Sequence, residues 1–230
     1  MVTFANEVCG SENRECGVTS VARPIGLFGG SFDPVHLGHI NLANSAINFI
    51  GLEEVRFIPV NFPVHRQASS TKLEDRINML RLALHPPLIL DEIEINRGGV
   101  SYTVDTLRSF RIDYPSRSLC LLLGKDSFDQ LSSWKSYDEF LDIVNIVVAG
   151  RPSAVGGIRD DLKHVFAKAV SEDVESLHRE KCGVLYFLEA PLVDVSSTII
   201  RSNVSANKPI DRLVPNNVAL LIKQQKLYEL

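Results

Sequence analysis

Pro24-Ile25-Gly26-Leu27-Phe28-Gly29-Gly30-Ser31-Phe32-Asp33-Pro34-Val35-His36-Leu37-Gly38-His39 is the stretch that decides the fold. Its opening residues read as an apolar strand that runs straight into Gly29-Gly30-Ser31, and a helix pattern follows from about Gly38 through Ile50. A strand, a glycine turn and a helix are the first half of an α/β unit. Glycines after a strand let the backbone approach a bulky ligand closely and adopt dihedrals closed to other residues. The helix that follows aims its opening N–H groups back at the turn, which makes the turn a ready anion site.

Working outward, residues 55–59 read as a second short strand. Thr71-Lys72-Leu73-Glu74 has the spacing of a capping box, and Leu73, Ile77, Leu80 and Leu84 recur at helical steps, so that face belongs to the core. The apolar runs 119–123, 143–149 (broken by Asn145) and 184–188 have the character of strands buried on both faces of a parallel sheet. The charged stretch 153–182, with Ile158, Leu162, Phe166 and Ala169 at helical spacing, predicts a peripheral helix. Pro215 is placed to open a last helix whose Val218, Leu221 and Ile222 pack on the sheet. The expected architecture is α/β: a Rossmann-like, doubly wound parallel sheet with flanking helices, a single domain over residues 23–230. Residues 1–22 are expected to form a disordered N-terminal extension. They lack the apolar stretch of a secretory signal, and Glu7, Glu12 and Glu15 argue against a mitochondrial targeting helix.

Composition narrows the function classes. Of 230 residues, 45% are hydrophobic and 23% charged, which excludes a largely disordered chain. The balance of 24 basic and 28 acidic residues gives a net charge of −4, unlike a nucleic-acid binder that works through a broad basic field. The longest apolar runs fall far short of the roughly 20 residues of a membrane span. Neither a nucleic acid nor a membrane is therefore expected as partner, while association of identical chains is left open. Cys9, Cys16, Cys120 and Cys182 include no close pair at metal-finger spacing and do not read as a disulfide framework. Reduced thiols in the cytoplasm are the expectation.

His36 and His39 stand three residues apart at a helix start, which puts both imidazoles on one side. There they can donate hydrogen bonds to phosphate oxygens, or simply cap and pack the helix. A zinc site is weaker, since the pair brings no third ligand of fitting spacing, and no Gly-Lys-Ser/Thr closes a Walker A loop. Ser196-Ser197-Thr198 reads as a helix start, with Arg201 on the side of its opening turn. Gly124 ends an apolar strand, and Asp126 beyond it suits either a ribose hydroxyl or a helix N-cap. Trp134, the one tryptophan, is either core or a ligand platform.

Gly29-Gly30-Ser31-Phe32-Asp33-Pro34-Val35-His36-Leu37-Gly38-His39 resembles the signature of the adenylyltransferases whose His-x-Gly-His motif handles the phosphates of ATP. From about residue 24 onward the chain resembles bacterial nicotinate-nucleotide adenylyltransferases. Pro59-Val60-Asn61-Phe62-Pro63-Val64-His65-Arg66 resembles their Pro-Pro-His-Lys/Arg loop, with Val64 in place of the second proline. Arg97-Gly98-Gly99-Val100-Ser101-Tyr102-Thr103 resembles their Ser-Tyr-Thr segment. Gly124-Lys125-Asp126-Ser127 followed by Trp134 resembles their Gly-x-Asp and tryptophan positions. Asp194-Val195-Ser196-Ser197-Thr198-Ile199-Ile200-Arg201 resembles Ile-Ser-Ser-Thr-x-Ile-Arg, and Leu227-Tyr228 the family's ending.

The resemblance implies adenylyl transfer from ATP to nicotinate mononucleotide, giving nicotinate adenine dinucleotide and pyrophosphate in NAD biosynthesis. His36, His39 and Arg201 are the expected catalytic residues. ATP is expected to lie against Gly29, Gly30, Ser31 and Phe32, with Gly124, Asp126, Ser127 and Arg151 on the adenosine side. Ser196, Ser197, Thr198 and Arg201 are expected to clamp its triphosphate. His65 and Arg66 would meet the mononucleotide phosphate, Trp134 would stack on its pyridine ring, and Thr103 and the backbone near Lys135 would contact the ring substituent. Magnesium would travel with ATP rather than sit in a protein cage. Other acceptors remain in view: nicotinamide mononucleotide, or the phosphopantetheine of a sister enzyme class, which does not account for the Ser-Tyr-Thr segment with Trp134. A non-catalytic nucleotide sensor on the same fold is the reading from a different class.

Overall fold

The computed structural model describes residues 22–63, 71–150, 157–190 and 193–229. Most of the expected N-terminal extension, together with His65, Arg66 and Arg151, lies outside the described residues.

The first half of the chain runs β1 (Ile25–Gly30), α1 (Leu37–Ile50), β2 (Glu54–Pro59), β3 (Phe62–Pro63), α2 (Leu73–Ala83), β4 (Leu88–Leu90), α3 (Ile93–Arg97), β5 (Val100–Ser101) and α4 (Thr103–Asp113). The second half runs β6 (Leu119–Gly124), α5 (Lys125–Phe128), α6 (Phe140–Ile143), β7 (Asn145–Gly150), α7 (Asp160–Phe166), β8 (Val170–Ser171), α8 (Ser176–Arg179), β9 (Leu185–Glu189), α9 (Ser197–Ser205) and α10 (Asn216–Gln224). Seven strands form one parallel sheet in the order β4-β2-β1-β6-β7-β9-β8, and β3 and β5 make a small separate pair.

Alternation along each strand divides the core between the two faces of the sheet. Leu119, Leu121 and Leu123 join Phe110, Phe128 and Phe140 on one side. Cys120 and Leu122 join Leu42, Ala46 and Val218 on the other. Neither face of the central strands meets water, which is why their sequences are continuous apolar runs. Burial pushes the Cys120 thiol up to about 12, so it packs as a small hydrophobe.

The strand order reverses beside β1, which has β2 on one flank and β6 on the other. In open parallel sheets ligands bind outside the carboxyl ends of the strands at such a reversal. Here those ends are Gly29-Gly30 and Gly124, where a Cβ on Gly29 or Gly124 would meet nothing within 4 Å.

Three sequence expectations are corrected. Thr71 does not cap α2: Lys72 occupies the N-cap without a side-chain bond, and the Thr71 hydroxyl instead donates to Asp33 Oδ1 at 2.5 Å. The region 153–182 is not one helix. Its described part is α7, a 3-10 turn, the short edge strand β8 and α8. Leu162 and Phe166 do face the core, but Val170–Ser171 leaves the helix to pair with Leu185 and Tyr186. The unusual backbone of the glycine turn falls on Phe32, at φ 47°, rather than on either glycine.

Candidate active site

The turn after β1 is held from three directions. The Phe32 ring folds inward to 1% exposure among Phe28, Phe57 and His39, so it packs in the core and is not part of the cavity lining. A Cβ on Gly30 would stand 3.0 Å from that ring, which leaves glycine as the residue that fits. From α2, the buried Arg76 donates to Ser31 O at 2.7 Å and to Val60 O at 2.9 Å, tying the turn to the segment beyond β2. From the C-terminal region, the Tyr228 hydroxyl donates to Asp33 Oδ1 at 2.7 Å. Burial and the Asp33 charge push that phenol well above its ordinary range.

His36 is the N-cap of α1, and its Nδ1 accepts from the His39 backbone N–H, while His39 Nδ1 accepts from the His36 N–H. The two rings stack with centroids 3.6 Å apart. With each Nδ1 serving as an acceptor, the proton of each neutral ring belongs on Nε2. Capping and ligand donation, which the sequence leaves as alternatives, thus use opposite edges of the same rings. Burial lowers His36 to about 4, which keeps it neutral near pH 7.

α9 brings its opening turn to this loop. Ser196 is its N-cap, accepting from Ile199 N–H, and Ser197 Oγ donates to Pro34 O at 3.0 Å. Arg201 donates to Asp33 O at 2.7 Å and reaches Thr198 Oγ1 at 3.4 Å, so the clamp residues and the imidazole pair occupy one neighbourhood.

A cavity of about 220 Å³ opens at the strand ends. Gly29, Gly30, Ser31 and Ser127 line it together with Thr103, Trp134 and Lys135. Apolar wall comes from Leu27, Ile58, Leu107, Leu121 and Leu123. Trp134 is half-buried, edge-on to Phe140, and Lys135 Nζ lies 4.1 Å over the Tyr102 ring. Gly124 is the N-cap of α5, so Asp126 is not its cap but an exposed residue of its first turn.

Two contributors escape a reading of the sequence. Arg76 stands at the i+3 position of the apolar stripe Leu73-Ile77-Leu80, and a charge inside such a stripe is the signal that could have exposed it. Glu94 lines the cavity from α3, and no local pattern marks it. Among the described residues no group of three or more His, Cys, Asp or Glu is placed to hold a metal ion. No helix among them is long and apolar enough to cross a membrane.

The family model described as cytidylyltransferase-like matches residues 27–203. An Aeromonas salmonicida protein named "Probable nicotinate-nucleotide adenylyltransferase" is 36% identical over 208 residues, covering 90% of this chain and 97% of that protein. A Hydrogenovibrio crunogenus protein of the same name is 36% identical over 209 residues, covering 90% and 98%. Among solved structures, Plasmodium falciparum nicotinic acid mononucleotide adenylyltransferase complexed with NaAD superposes with a TM-score of 0.68 at 18% identity, covering 90% of this chain and 97% of that one. At that identity the structural likeness speaks for the fold, whereas the family match and the bacterial relatives speak for kinship. The chain belongs to the cytidylyltransferase-like family and, within it, to the nicotinate-nucleotide adenylyltransferases.

Proposed function

We propose that the chain transfers the adenylyl group of ATP to nicotinate mononucleotide, releasing pyrophosphate and forming nicotinate adenine dinucleotide for NAD biosynthesis. One observation carries this: the glycine turn and the Thr103–Trp134–Lys135 wall border the same cavity at the reversal of strand order. Ligands placed against the glycine turn and against Trp134 would share that one cavity, as joining them requires.

The mononucleotide phosphate is already an anion near neutral pH, so its oxygen needs no general base and can attack the α-phosphorus directly. What the protein has to supply is alignment and relief of the charge that builds on the departing pyrophosphate. The Nε2–H edges of His36 and His39 and the Arg201 guanidinium are donors of the right kind, with Ser196, Ser197 and Thr198 adding hydroxyls and helix N–H groups. Ser31 and Ser127 line the cavity on the side proposed for the nucleoside, and Gly124, Asp126, His65, Arg66 and Arg151 belong to the same reading through the motifs they occupy. No protein nucleophile is needed, so transfer proceeds in line without a covalent enzyme intermediate. Magnesium enters as the counterion of ATP, held by triphosphate oxygens: the side chains gathered at the turn are chiefly donors, and the nearby Asp33 carboxylate already accepts from Thr71 and Tyr228. The place of such an enzyme is the cytoplasm.

Pyrophosphate release from ATP, measured with and without nicotinate mononucleotide, tests the proposal, and release that depends on the mononucleotide is the expected result. No release with any pyridine mononucleotide would instead favour a nucleotide sensor. His39→Ala is expected to lower turnover by about 100-fold, the scale of losing one transition-state donor. Turnover within threefold of the parent would remove His39 from the chemistry.

A further inference from the structure

Glu94 forms part of the cavity wall and is only 4% exposed. Its Oε1 accepts from Thr106 Oγ1 at 2.7 Å, and that hydroxyl accepts in turn from Arg97 Nη2 at 2.9 Å. Its Oε2 is buried and has no hydrogen-bond partner among the described residues. A buried acceptor left unmade costs more than an ordinary hydrogen bond returns, so such an atom at a ligand cavity points to a partner that arrives with the ligand. A phosphate or a second carboxylate would be repelled there, while a cation or an N–H or O–H donor would be drawn in.

Taken together with the proposed acceptor, the choice narrows. A pyridine mononucleotide carries a fixed positive charge on its ring nitrogen, and in an apolar hollow that charge needs a counter-charge. The negative ring substituent has a different place to go. Thr103 opens α4 at the positive end of its helix dipole, and Lys135 stands over Tyr102 beside it, 3.8 Å from Asp105. Thr106, which holds Glu94, lies on the same face of α4 one turn further along. The wall therefore offers Lys135 and the start of α4 at one place and the Glu94 carboxylate of α3, braced by Thr106, at another, two sites that a zwitterionic ring could meet together.

We propose that Glu94 is a specificity-determining residue of the mononucleotide subsite, its free oxygen supplying the counter-charge to the pyridinium ring. The proposal rests on the adenylyl-transfer reading above. Its test compares nicotinate mononucleotide with its 1,4-dihydro form, which keeps the ribose, phosphate and carboxylate but has a neutral ring, each measured as substrate or competitor. The parent protein is expected to favour the pyridinium form by about tenfold or more in KM, the scale of a charge-assisted contact. Glu94→Gln keeps an acceptor for Thr106 and removes the charge. It should raise KM for the pyridinium form by about tenfold while leaving the dihydro form and ATP within twofold. Thr106→Val, which removes the brace but not the charge, should keep the discrimination.

Several results would overturn the assignment. A parent protein that does not distinguish the two forms does so without any variant. So does a Glu94→Gln protein in which both forms weaken together, since the carboxylate would then only brace α4. A variant that shifts the preference between acid and amide mononucleotides, with the ring-charge preference intact, would show that the oxygen meets the substituent instead. Failure of the parent to release pyrophosphate with nicotinate mononucleotide would be a separate outcome, bringing down the transfer reaction and this assignment with it.

Discussion

At the scale of the residue, His36 caps α1 with one edge of its ring and leaves the opposite edge for the donation proposed above. Its Nδ1 can accept the His39 N–H only while the ring is neutral, and burial secures that by lowering the ring from 6.5 to about 4. The unfolded chain therefore takes up this proton at a higher pH than the folded one. Between about pH 6.5 and 4 the unfolded state binds more protons, so the contribution of His36 to stability is complete above that window and is lost as the pH falls through it. Urea midpoints measured from pH 7 to pH 4 should fall more steeply for the parent than for His36→Asn, whose amide can still cap the helix. Equal slopes would show that the ring is not held neutral. Little of this was visible in the sequence. The spacing of two histidines brought the rings to one side, but the exchange of backbone bonds that assigns their tautomers depends on a helix starting at Leu37, and local sequence fixes helix boundaries only loosely.

At the scale of the element, α2 acts as a spacer between two loops. Arg76 holds Ser31 and Val60, and both residues line the cavity. Arg76→Met keeps much of the volume but leaves both carbonyls without that donor, so a loss of about 2 kcal/mol in urea unfolding is expected, together with a higher KM for both substrates. A KM change confined to one of them would separate the loops. Elements were legible in the sequence where a single local force decides them. Residues 119–123 are apolar because a strand covered on both faces has no polar side, and they are a strand of the sheet; of the run 143–149 the strand takes Asn145 onward, while Ile143 closes α6. Legibility failed where distant groups intervene. Thr71 has the right chemistry for an N-cap, but its hydroxyl is claimed by Asp33 from the other side of the site. Helical spacing across Ile158, Leu162, Phe166 and Ala169 could not reveal that Val170 is taken by β9 as an edge strand. The apolar steps of α2 were plain, yet the arginine among them was hidden because burying a guanidinium is costly and therefore seldom assumed.

At the scale of the whole molecule, the last residues return to the first loop. Ser205 donates to Tyr228 O, and the Tyr228 hydroxyl closes on Asp33, a bond spanning 195 positions of the chain. Tyr228→Phe is expected to cost about 1 kcal/mol of stability and to raise KM for ATP while sparing the mononucleotide, because Asp33 sits in the turn rather than in the cavity wall. Unchanged kinetics with lower stability would reduce the tail to a strut. The cavity has a wider consequence. Gly29, Gly30 and Trp134 border a single hollow of about 220 Å³, so the two reactants of the proposed transfer would lie along one shared wall rather than in separate rooms. A blocker that straddles that wall would exclude both at once, and chemists seeking one should extend a compact core lengthwise instead of making it bulkier.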